Sequence, residues 1–156
     1  MIRLPLILAS AAIITVAGIA SAGGHGGNPS VKARQSHMQL YQFNIGLLGG
    51  MAKGEIEYDA DAAKGAAGNL AAVSMLNQSR YWLPGTSTAE LGEETRALPA
   101  IWEEGSKAGE IGGQFAQAAA ALAAAAGNGK DEMTAALGAV GKGCGDCHKG
   151  YRQPNN

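Results

Sequence analysis

The sequence predicts an all-α protein, an antiparallel up-down-up-down four-helix bundle. Three observations carry that expectation. Apolar residues recur at helical spacing in four stretches, each roughly 20 residues or longer. Caps and breakers sit at the ends of those stretches. No segment alternates apolar and polar residues as a half-buried strand would. Four amphipathic helices in a row pack most simply as a bundle of antiparallel neighbours.

The first helix starts at Asn28-Pro29, where asparagine can cap and proline suits the first helical position. Val31, Met38, Tyr41, Ile45 and Leu48 carry it to about residue 53, and Gly54 closes it. Asp59 or Asp61 caps a second helix running to about Arg80, with Leu70, Val73 and Leu76 on related faces. Tyr81 to Leu98, containing Pro84-Gly85 and a run of hydroxyl residues, reads as a long connection. A third helix is expected from about Pro99 to Ala126 through Ile101, Ala108, Ile111, Phe115, Ala119 and Leu122. Its alanine-rich second half favours helix strongly, and Gly127-Asn128-Gly129 stops it. Asp131 opens the last helix, whose inner face carries Leu137, Val140, Cys144, Cys147, His148 and Tyr151; Gln153-Pro154 ends it.

At 156 residues the chain fits one domain. A net charge of -1, with scattered acidic and basic residues, excludes a nucleic-acid-binding face or a polybasic membrane patch. Arg3 precedes an apolar run from Leu4 to Ala20, and Ala20-Ser21-Ala22 offers a cleavage site. Residues 1–22 therefore read as a signal peptide, 23–28 as a flexible glycine-rich leader and 29–156 as the functional domain. The competing reading of the apolar run is an uncleaved anchor, since it is near the minimum length for a span. The cleavage pattern favours an exported, periplasmic protein with no stable membrane association once the signal is removed.

The chain has two cysteines, Cys144 and Cys147, and they share one motif, Cys144-Gly145-Asp146-Cys147-His148. This is the attachment signature of c-type haem. On a helix, positions i, i+3 and i+4 lie on one face, so both thiols and the imidazole point the same way. The thiols can then add to the two vinyl groups of a single haem, and His148 can donate an axial nitrogen to the iron. A thioredoxin-like redox pair would sit at a helix N-terminus beside a sheet, which this chain lacks. A zinc site would need further ligands that the sequence does not supply nearby.

The chain resembles the class II c-type cytochromes, the cytochrome c-prime family and its low-spin relatives. The resemblance rests on the run Gly143 to His148 and on Val31-Lys32-Ala33-Arg34-Gln35-Ser36-His37-Met38, with Met51-Ala52-Lys53-Gly54-Glu55 and Trp102 less specific. It implies one covalent haem c, the bundle topology, Met38 at the distal position, and Arg34 and Gln35 reaching the haem propionates. It also implies a possible homodimer through the first two helices.

Helical rise bears on the sixth iron position. Met133, on the same helix as His148, lies about 22 Å from it and cannot reach. Met38 sits at nearly the height of His148 on a neighbouring antiparallel helix, whereas Met51 lies roughly 20 Å further along. Height does not exclude Met75; the resemblance selects Met38. A thioether suits ferrous haem iron and a Met/His pair raises its potential. The expected function is a one-electron carrier with His148 and Met38 as ligands, meeting redox proteins in transient contacts. The alternative is a high-spin, five-coordinate protein that binds nitric oxide or carbon monoxide. A peroxidase would need an acid/base group above an open iron, and only His37 is near, at the wrong angle; the chain is not expected to be an enzyme. His37 is expected to face solvent or a boundary, Trp82 and Trp102 to pack, Tyr41 and Tyr151 to wall the pocket, and Asp146 to be an exposed edge charge. Arg152 is expected either to meet a propionate or to serve the helix C-terminus.

Overall fold

Helix α1, Pro29–Lys53, begins where the sequence says it should. The Asn28 side chain accepts from the backbone N–H groups of Ser30 at 2.9 Å and Val31 at 3.3 Å, satisfying donors that the first turn leaves open. Gly54 ends it in the left-handed conformation at φ 77°, which glycine adopts without a Cβ penalty. The computed structural model describes residues 27–154, so the expected signal peptide (1–22) and most of the expected leader (23–26) lie outside the described residues. The last two leader residues do pack: the Asn28 backbone N–H donates to the Glu94 carboxylate.

Helix α2, Ala60–Ser74, is capped by Asp59, whose carboxylate accepts from Ala62 N–H at 2.7 Å. It stops short of the expected end near Arg80. After Ser74 the last turn tightens, with Met75 N–H donating to Ala72 O and Leu76 N–H to Val73 O, both at 3.2 Å. The Asn77 side chain then accepts from Ser79 N–H at 3.0 Å, a local turn that competes with helix. Met75 and Leu76 are exposed, so no buried stripe extends the helix.

A long crossover joins α2 to the third long helix. It contains the single-turn helix α3, Thr88–Leu91, opened by a Ser87–Glu90 capping box, and 3-10 turns at Gly92–Glu94 and Pro99–Ile101. The expected helix from Pro99 is therefore replaced by one turn. Gly105 at φ 81° redirects the chain, and α4 runs only from Ala108 to Ala125. Helix α5, Lys130–Tyr151, closes the fold.

Helix α1 packs on α2 and α5, and α4 packs on the same two, giving the closed ring of a four-helix bundle. Leu48, Met51, Leu70, Leu122, Met133 and Val140 form the buried core of one half. Alanines 63, 66 and 67 on α2 and 119 on α4 are buried too, which lets the backbones approach closely. The other half, built from the first part of α1, the start of α4, the crossover and the end of α5, is open. None of the described helices is long and apolar enough to cross a membrane.

Candidate cofactor site

The open half holds two adjoining cavities. The first, about 570 Å³, is lined by Cys144, Cys147 and His148 of α5 and by Gln35, Met38 and Tyr41 among residues of α1, with Trp82, Thr95, Arg96 and Ile101 from the crossover. The second, about 400 Å³, shares Met38, Tyr41, Trp82, Ile101, Cys144 and Cys147 but not His148. Its remaining wall is mostly apolar and comes largely from Ala108 to Ala116 of α4. Both volumes fall within the ~300–1,000 Å³ usual for cofactor sites. Among the described residues no aspartate or glutamate lines either cavity, whereas Arg34, Arg96 and Arg152 line the first.

The three motif residues follow the i, i+3, i+4 geometry of one turn of α5. Cys144 and Cys147 are free thiols, half-buried. Burial pushes both thiols above the usual range, and the neighbouring Cys147 adds to the effect at Cys144. The His148 imidazole is held below its ordinary value by desolvation, then by the cations Arg152 and Arg96. It is thus neutral at pH 7 and has a lone pair to give a metal. Among the described residues no cluster of three or more His, Cys, Asp or Glu side chains could hold a metal ion, which leaves the zinc reading without ligands. Two thiols, one neutral imidazole, an apolar chamber and arginines at its polar side suit an amphiphilic metal macrocycle carrying carboxylates.

Each remaining candidate can be placed. Met38 is partly buried and fronts both cavities. Met75, which height left open, is 77% exposed and lines neither; Met51 and Met133 belong to the packed half. Gln35 lines the first cavity and its amide donates to Glu94 O at 3.0 Å. Arg34 is buried, and its terminal nitrogens donate to Tyr81 O, Thr86 Oγ1, Thr86 O and Thr95 Oγ1 at 2.8–3.1 Å. Four of its five N–H groups are thus turned to the crossover. Tyr41 and Tyr151 do wall the first cavity. Trp102 packs, donating from Nε1 to Trp82 O at 3.0 Å. Asp146 is exposed and paired with Lys142.

His37 corrects the expectation of a solvent-facing or boundary residue. It is 4% exposed, edge-on to Tyr41 and Tyr81 at centroid separations of 4.6 and 5.6 Å, and burial lowers its pKa. The crossover folds over this face of α1, which helix periodicity alone does not reveal. Thr95, Arg96 and Ala97 were likewise invisible as site residues, because only the crossover's path brings them to α5.

Comparison with known proteins gives one answer. The family model described as Cytochrome C' matches residues 29–152. A cytochrome c' of Cereibacter sphaeroides is 40% identical over 122 residues, covering 78% of this chain and 81% of its own. The solved cytochrome c' from Rhodobacter Spheriodes superposes with a TM-score of 0.77 at 39% identity, covering 81% of this chain and 96% of that one. A carbon-monoxide-bound variant of cytochrome c prime from Alcaligenes xylosoxidans matches with a TM-score of 0.68 at 32% identity over 80% of this chain and 94% of its own. That protein has also been solved as a nitric oxide complex.

Proposed function

The chain belongs to the cytochrome c' family and is a haem c cytochrome, and from that premise we propose that it binds nitric oxide or carbon monoxide at an iron held by His148, with Met38 beside the open position. The observation that carries this reading is the setting of Met38. Besides the cavity it shares with His148, its side chain borders the second, mostly apolar cavity that His148 does not line, which suits an uncharged diatomic ligand. The gas-bound structures of a relative with the same fold favour it as well. The reading expected first, a Met38-ligated carrier, now stands second. It is favoured by one feature, that Met38 fronts the same cavity as His148.

In this proposal Cys144 and Cys147 tether the cofactor through two thioethers, and His148 donates its neutral nitrogen from α5. Arg96 and Arg152 supply the donors for its carboxylates, with Gln35 and the remaining N–H of Arg34. The bound haem supplies an iron that takes up one diatomic ligand and exchanges single electrons. Tyr41, Trp82, Ile101 and Phe115 keep water from the distal space, and the packed half holds α1 and α5 in register. We further propose a periplasmic location, on the N-terminal signal, and self-association through the outer face of α1, where Leu40 and Phe43 are exposed one turn apart.

Absorption spectra of the purified protein, oxidised and reduced, with and without carbon monoxide, test the reading. A high-spin ferric spectrum and prompt uptake of carbon monoxide by the ferrous form are expected. An iron–sulfur charge-transfer band with refusal of carbon monoxide would replace it with the carrier.

A further inference from the structure

The crossover forms one wall of the first cavity, contributing Trp82, Thr95, Arg96, Ala97 and Ile101, yet it is almost devoid of regular structure. Something must hold it. On the α5 side the backbone does so: Leu98 N–H donates to Tyr151 O at 3.0 Å, Gln153 N–H donates to Arg96 O at 2.8 Å, and Ala97 bridges Arg152. On the α1 side Gln35 reaches only Glu94 O and His37 packs on Tyr81, whereas one side chain, Arg34, makes four bonds to three residues of the crossover.

Arg34 is 5% exposed, and each of its four hydrogen bonds goes to a neutral acceptor of the crossover. Its guanidinium also lies over the Trp82 ring, 4.8 Å from the centroid. The acceptors are themselves fixed: Thr86 Oγ1 donates to Leu83 O at 2.7 Å, and Thr95 Oγ1 accepts from Ala97 N–H at 3.2 Å. Burying a cation is costly unless its donors are met. Here a planar fork meets acceptors at residues 81, 86 and 95 and stacks on residue 82, which the point charge of a lysine does not reproduce.

We propose that Arg34 is a positioning residue, a latch that fixes the crossover as a wall of the haem cavity and sets where Trp82 and Thr95 stand against the cofactor. Four of its five N–H groups act toward the haem only through that wall, while Arg96 and Arg152 are the main donors to the carboxylates. The spectroscopic half of the test rests on the haem reading; the proteolytic half does not.

The test compares the haem-loaded wild type with Arg34→Gln, Arg34→Lys and the double variant Thr86→Val/Thr95→Val, which keeps the charge and removes two acceptors. Thermolysin cleavage within residues 75–107 should quicken by about tenfold or more in Arg34→Gln and in the double variant, with cleavage at 54–59 unchanged. The Soret circular dichroism should change alike in both, since Trp82 shifts relative to the haem, and Arg34→Lys should not restore it. If Arg34→Gln is not recovered, the double variant decides alone. Unchanged cleavage and Soret dichroism would overturn the latch, even with a lowered melting temperature. So would an altered Soret dichroism in Arg34→Gln with none in the double variant, because the guanidinium would then act on the haem directly. A wild type without covalent haem would instead sink the family reading, leaving proteolysis to judge the latch.

Discussion

The Tyr151 hydroxyl accepts a hydrogen bond from the Lys107 backbone N–H at 2.7 Å. Tyr151 is the last residue of α5, one turn beyond His148, and Lys107 is the residue before α4. The bond ties the helix that carries His148 to the end of the crossover.

Tyr151→Phe removes that tie and leaves the ring in the cavity wall. Lys107 is exposed, so water can satisfy its freed N–H, and the cost is expected to be about 0.5–1.5 kcal/mol. For a chain of this size that lowers the melting temperature by roughly 2–5 °C. Thermal unfolding followed by far-UV circular dichroism measures it; an unchanged midpoint would show that the bond contributes nothing.

The two half-buried cysteines make separable contributions. Cys147→Ala or Cys144→Ala should leave one thioether and retain covalent haem in denaturing gels, with the spectrum of an unsaturated vinyl group. The double variant should lose covalent haem altogether. Intact mass read for each variant checks this, and a double variant that still carried tetrapyrrole mass would refute the tethering assignment.

Tyr41 gives a pH dependence of known sign. Burial, and to a lesser degree the nearby Cys144, push its phenol up to about 12 from 10.0, while a hydrogen bond with Gln78 acts the other way. The unfolded chain therefore loses this proton from about pH 10, while the native state keeps it until about pH 12. Stability tied to the neutral phenol is present below pH 10 and is lost as pH rises through that window. The wild type should lose more stability than Tyr41→Phe between pH 9 and 12, compared by denaturant titration at each pH. Parallel pH profiles would count against the assignment.

Much of this arrangement was legible in the sequence, and what was hidden has a common cause. The bounds of α1 were readable because Asn28, Pro29 and Gly54 act locally. The motif of α5 was readable because its chemistry needs only one turn of helix. Local signals failed in the crossover. Pro99 and Ile101 continue a helical period into α4, but Gly105 interrupts it in a conformation that periodicity cannot register. For the same reason His37 reads as a solvent or boundary residue, and Arg34 reads as a propionate partner with no sign of its ties to the crossover. Their burial is imposed by Tyr81, Thr86 and Thr95, which lie 44 to 61 positions away along the chain.

Phe43 is 78% exposed and Leu40, one turn earlier, is 49% exposed. Neither supports the monomer's core, so Phe43→Lys should change folding stability by no more than about 0.5 kcal/mol. If this face joins two copies, sedimentation equilibrium should give a dimer for the wild type and a monomer for the variant, with identical spectra. A wild type that remains monomeric at high concentration would remove the proposed interface.

Met38 discriminates the two functional readings most directly. Its side chain is only partly buried, so truncation to alanine should cost less than for a fully buried methionine, about 1–2 kcal/mol. If Met38 only borders the open iron position, Met38→Ala should keep the ferric spectrum of the wild type and bind carbon monoxide faster, because a bulky neighbour is gone. Met38→Leu, which nearly conserves volume, should bind it at close to the wild-type rate. If the thioether were instead an iron ligand, both substitutions would convert a low-spin spectrum to a high-spin one and create carbon monoxide binding where none existed. Flash photolysis of the ferrous complexes, beside ferric spectra of all three proteins, separates these outcomes, since leucine fills space but cannot coordinate.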